Sequence, residues 1–144
     1  MTGTFTTRTV DVTTGSAETM HDLTNACSAF LREVAHGRDG LLNVFTSHAT
    51  SGLAVIETGA GSDDDLLAAL RGILPADDRR PEPHGDPGPG PGPGPDRMLP
   101  ALVPPHATLP VVGGVLELGT SQSVVLVTAD RGGAAGKVRL SFLG

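Results

Sequence analysis

The chain has 144 residues, 38% of them hydrophobic, which suffices for a buried core and argues against global disorder. A formal net charge of -6 disfavours broad electrostatic capture of nucleic acid or of an anionic membrane surface. The absence of Trp and Tyr, with only four Phe, removes base-stacking platforms and leaves the core to aliphatic side chains.

Cys27 is the single cysteine, so no internal disulfide can form, and its neighbours Ala26, Phe30 and Leu31 mark it as a buried structural thiol. With no signal-peptide pattern and no apolar run of membrane-spanning length, a cytoplasmic protein without membrane contact is expected.

From Thr4 to Thr14, β-branched and polar residues alternate and predict a strand with one wet face. After Gly15-Ser16, apolar residues from Leu23 to Val34 recur at helical spacing. This predicts a helix from about Asp22, its N-cap, to Ala35, closed by Gly37. Leu41 to Ser47 and Gly52 to Thr58 read as two strands joined at Ala49-Thr50-Ser51, so an antiparallel hairpin is the simplest arrangement. His48 then stands at its tip, sharing a face with Leu42, Val44 and Thr46. Apolar residues on both faces of the first strand predict cover on both sides.

Gly59-x-Gly61 precedes Asp63, Asp64 and Asp65 and the run LLAALRGIL, a second helix ending before Pro75. Three aspartates in its first turn would repel phosphate, so ordinary capping by Ser62 or Asp63 is the reading of that glycine turn. From Pro75 to about Arg97 the composition changes to Pro, Gly, Asp and Arg, including a Pro-Gly repeat from Pro87 to Pro95, and predicts a flexible loop. Short strands follow at Leu109 to Val112, Val115 to Leu118, Ser123 to Thr128 and Lys137 to Leu143, with a Gly113-Gly114 turn between the first two. The whole predicts a single α+β domain, a mainly antiparallel sheet packed with two helices.

Of the five histidines, His21 and His36 flank the first helix and His106 stands in a connection, where solvation accounts for them. His48 lies beside Ser47, Thr50 and Ser51, whose hydroxyls can orient an imidazole for proton transfer or metal binding, although a hydrogen-bonded turn histidine would look the same. His84 sits in PEPHGDPG, within the loop. The sequence holds no HExxH, paired CxxC, Walker lysine or GxSxG.

Taken in order, GLLNVFTSHATSGLAVIE (Gly40 to Glu57), DDDLLAAL, TLPVVGGVLELGTSQSVVLV (Thr108 to Val127) and KVRLSFLG resemble the YjbQ family over nearly the whole chain. The resemblance implies a small α+β homotrimer and, for some members, secondary thiamine-phosphate synthase activity, the joining of a pyrimidine diphosphate to a thiazole phosphate. It implies His48 and His84 as catalytic residues and ligands of a divalent metal ion (Mg or Zn), and Thr50, Arg97, Thr120 and Gln122 as contacts to a small phosphorylated molecule. Arg97 stands where the family pattern has a third histidine, and Ser121 where it has Trp. An always-protonated arginine in place of a ligand weakens metal binding and favours phosphate. The rival expectation is a non-catalytic trimeric member whose degenerate site serves ligand binding or structure alone.

Overall fold

The computed structural model describes residues 3–13, 19–58, 62–73, 99–128 and 135–144. The elements run β1 (Phe5–Thr13), β2 (Thr19–Asp22), α1 (Thr24–Val34), β3 (Gly40–Thr46), β4 (Ser51–Glu57), α2 (Ser62–Ile73), α3 (Leu99–Leu102), β5 (His106–Val112), β6 (Val115–Leu116), β7 (Gln122–Thr128) and β8 (Ala135–Leu143). Every strand pairing is antiparallel, in a five-stranded sheet of order β1-β8-β3-β5-β6 and a three-stranded sheet of order β2-β7-β4. The α+β class is therefore as expected, with the strands divided between two sheets.

The larger core lies between the sheets. Leu42 and Val44 of β3 and Val138, Leu140 and Phe142 of β8 meet Leu53 of β4, Val124 and Leu126 of β7, and Cys27, Phe30 and Leu31 of α1. The clean alternation of KVRLSFL does what it predicts, burying Val138, Leu140 and Phe142 while Lys137 and Arg139 stay in water. Burial pushes the Cys27 thiol up to about 12, with the Asp22 carboxylate adding to the effect, so the cysteine is structural. A second core sits on the opposite face of the three-stranded sheet, where Val125 and Val127 pack on Leu70 of α2 and on Leu99 and Val103 at α3. β7 is thus buried on both faces and reads as a continuous apolar run.

Several expectations are corrected. β3 and β4 form no hairpin: β3 pairs with β5 and β8, and β4 with β7. The donors that a hairpin would satisfy across its turn are met instead by the segment after α3, with Thr46 N–H donating to Pro105 O at 2.9 Å and Leu53 N–H to Pro104 O at 2.8 Å. Two prolines supply acceptors there while bringing no N–H of their own to satisfy. The chain from Thr46 to Ser51 therefore steps from one sheet to the other.

β2 and α3 are additions to the expected elements. The helix begins at Thr24 with Leu23 at the N-cap position, and Asp22, now the last residue of β2, accepts the Thr24 N–H through Oδ1 at 2.8 Å. β3 is covered on one face, for Leu41 and Phe45 remain 46% and 40% exposed. The Gly113-Gly114 turn between β5 and β6 is as predicted, both glycines having positive φ, 59° and 80°, as a tight hairpin turn requires. Gly59 to Gly61 and the Pro/Gly-rich loop lie outside the described residues.

Candidate functional site

At the end of the sandwich where β3 stops and β4 starts, polar side chains replace the aliphatic core. Thr46 continues the buried face of Leu42 and Val44 and is 1% exposed; Ser51 continues the face of Leu53 and is 2% exposed. Thr128 of β7, opposite Ser51 in the register, is buried as well. These hydroxyls lie between the two sheets at the mouth of the sandwich, the end where β3 stops and β4 starts, and His48 is half-buried beside them.

The turn holds the imidazole by its side chain and its main chain. Thr50 Oγ1 lies 2.9 Å from His48 Nδ1 and Ser51 Oγ lies 3.5 Å from it. The His48 N–H donates to Thr46 Oγ1 at 3.3 Å, the Ser51 N–H donates to His48 O at 3.3 Å, and Thr46 Oγ1 donates to Lys137 O of β8 at 3.4 Å. Gly52 seals the corner, for a Cβ there would stand 2.1 Å from Val103 O. Nδ1 is the ring nitrogen these hydroxyls reach, and it donates or accepts according to which nitrogen bears the proton.

Of the residues expected to share this site, His48 and Thr50 come together. Thr120 and Gln122 do not: Gln122 pairs with Glu57, whereas Ser51 pairs with Thr128, so the two groups lie at opposite ends of β4. That separation is about 20 Å at roughly 3.3 Å per residue. Gln122 has a local task, its Oε1 accepting the Gly119 N–H at 2.8 Å and closing the turn that carries Thr120. His84 and Arg97 lie outside the described residues. Among the described residues no three His, Cys, Asp or Glu side chains gather in a group able to hold a metal ion. One imidazole among hydroxyls is a poor donor set for zinc.

His21 was expected in water beside the helix. It belongs to β2, two residues along from the Thr19–Thr128 pair, half-buried, and desolvation lowers its pKa. Thr46 and Thr128 also escaped sequence reading, because a threonine in a β-branched strand carries no local mark of what lies across from it. An open groove of about 450 Å³ elsewhere, lined by Thr4, Thr6, Glu33, Val34, His36 and Arg38, has its cation already engaged. Arg38 donates to Ala35 O, Val34 O and Thr4 Oγ1 at 2.9, 3.0 and 2.6 Å, and Glu33 is paired with Arg8. The mouth at His48 is the better-built site.

The family model described as UPF0047 protein YjbQ-like matches residues 8–144. The chain belongs to the YjbQ family. A UPF0047 protein of Mycobacterium tuberculosis strain H37Rv is 51% identical over 122 residues, covering 85% of this chain and 86% of the relative. A UPF0047 protein of Methanothermobacter thermautotrophicus is 29% identical over 123 residues, covering 85% of this chain and 81% of that one. Among solved structures, a YbjQ-like protein from Sulfolobus solfataricus P2 superposes with a TM-score of 0.83 at 19% identity, covering 99% of both chains. A hypothetical protein from Aeropyrum pernix K1 does so at 0.78 and 27% identity, covering 96% of this chain and 98% of that one. The YjbQ fold thus extends over nearly the whole molecule.

Proposed function

We propose that the mouth at His48 is the ligand site of a YjbQ protein and takes a small phosphorylated molecule, with secondary thiamine-phosphate synthase-type transfer as its reaction. The observation that carries this reading is the His48 imidazole fixed through Nδ1 by Thr50 and Ser51 beside buried Thr46 and Thr128. In joining a pyrimidine diphosphate to a thiazole phosphate, the thiazole nitrogen supplies the electron pair of the new bond. The carbon–oxygen bond to diphosphate breaks, and diphosphate leaves with that bond's electron pair. Negative charge grows on the departing oxygen, and a donor held against it lowers the barrier. His48 is that donor. Thr50 positions it, and the neighbouring hydroxyls keep its surroundings polar without bringing a charge of their own.

The protein is further proposed to act as a homotrimer, which would cover the apolar residues left in water on the outer face of the five-stranded sheet. The distance between His48 and Gln122 favours a second reading, a member in which the Thr120–Gln122 turn is structural and the mouth binds without turnover. Rescue of a thiamine auxotroph separates the two. The wild-type chain should restore growth and His48→Ala should lower the activity by about 10²-fold or more, as loss of an acid–base group does. Equal rescue by His48→Ala would remove His48 from the reaction, and no rescue by the wild type would leave the binding reading.

A further inference from the structure

We infer that the outer face of the five-stranded sheet carries an oxyanion site for a diphosphate group, built from Arg139 of β8 and His106 of β5 on either side of Phe45, with Lys137 beside them. The inference goes beyond the mouth, since it needs neither His48 nor its hydroxyls. The register fixes the juxtaposition. Phe45 is opposite Arg139 on one side and His106 on the other, and residues directly opposite in a ladder share a face of the sheet. Phe45 is 40% exposed on the outer face, and Arg139 and His106 are exposed with it. Lys137, two residues along β8 from Arg139, is exposed on the same face.

The two flanking strands each run about 4.8 Å from β3, so the main chains of Arg139 and His106 stand roughly 10 Å apart. Their side chains are long enough to close over Phe45 on an elongated anion, and a guanidinium takes phosphate oxygens in pairs. These cations also have no work in the scaffold. Arg8 is paired with Glu33, and Arg38 donates to Ala35 O, Val34 O and Thr4 Oγ1. Among the described residues, by contrast, no hydrogen bond or ion pair engages the side chains of Arg139, His106 or Lys137. The carboxylate on this part of the face is Asp11, opposite Lys137, whereas Arg139 is opposite the uncharged Thr9. In a chain of net charge -6, two permanent cations and an imidazole gathered here are a local reversal of sign that attracts anions. The row lies on the outside of the strand end that carries the mouth, for Thr46 N–H donates to Pro105 O, next to His106, and Thr46 Oγ1 donates to Lys137 O.

The test is calorimetric titration of the full-length protein with inorganic pyrophosphate at constant ionic strength. The wild type should bind. Arg139→Gln should weaken binding roughly tenfold or more, the loss of one charge-assisted contact, and His106→Gln should weaken it less. Arg32→Gln, which removes an equal charge from the exposed side of α1, should leave it unchanged. Phenyl diphosphate, titrated alongside, names the source of the group: binding at least as tight as pyrophosphate means an ester whose body lies on Phe45, and weaker binding means the free ion. No binding by the wild type, an equal loss in Arg32→Gln, or an affinity unmoved in Arg139→Gln would overturn the inference. His48→Ala tells the two sites apart. Loss of binding there but not in Arg139→Gln puts the anion in the mouth and removes the outer site, whereas the reverse keeps the outer site and counts against the mouth.

Discussion

At His21 burial and ionisation oppose each other. Desolvation holds its pKa below the 6.5 of an exposed imidazole, so below that pH the unfolded chain takes up a proton that the folded chain refuses. Stability is unaffected above pH 6.5, falls as the pH drops through the unfolded value, and levels off once the folded value is passed. Replacing His21 with Gln, which does not titrate there, should flatten the decline of melting temperature as the pH is lowered below about 6.5. An equally steep decline in the variant would assign it to other groups. Arg38 shows the opposite economy: its guanidinium ties the end of α1 to Thr4, just ahead of β1, and lies 5.6 Å from the centre of the Phe142 ring, so its charge serves the scaffold.

Among the elements, the decisive one is the segment Val103 to Pro105, which takes the place of a β3–β4 ladder. Gly52→Ala should expose its role. A methyl group placed 2.1 Å from Val103 O and 2.8 Å from Val103 Cγ1 must push main chain aside. A loss of about 1–3 kcal/mol is expected, measured as a lower urea midpoint at unchanged slope. A change below about 0.5 kcal/mol would mean that the segment yields freely.

The same corner shows what sequence could and could not tell. Val138, Leu140 and Phe142 announced their burial by alternation, and Gly113-Gly114 its turn, because both signals are local. Two strands separated by a few polar residues likewise look like a hairpin whether they pair with each other or with β5, β7 and β8. Only the remote acceptors Pro104 and Pro105 decide between these outcomes. β2 passed unnoticed because Thr-Met-His-Asp is too short to show a period. His48 and Thr50 were legible as neighbours, and the remoteness of Thr120 and Gln122 was not, since it depends on register along β7.

For the molecule as a whole, the outer face of the five-stranded sheet is the unfinished surface. The register aligns Phe5 with Leu143, Leu143 with Leu41 and Leu41 with Pro110, an apolar row crossing four strands. Val112 and Val115, paired at the β5–β6 end, extend it, and all of these except the proline are large hydrophobics left exposed. If the row is an interface, light scattering after size exclusion should give a trimer for the wild type and a folded monomer for Leu41→Lys. A monomeric wild type would rule that role out.

The placement of β8 has a consequence for how the molecule is made. It lies between β1 and β3, so the five-stranded sheet has no continuous centre until the latest strand in the chain arrives. Such remote pairing favours folding in milliseconds to seconds rather than microseconds, with β1 and β3 waiting as open edges meanwhile. The surroundings of His48 inherit this delay: Ser51 is walled in by β7, and Thr46 finds its carbonyl on β8. During synthesis, the histidine and its hydroxyls are therefore adjacent in the chain long before they are a dry, oriented group.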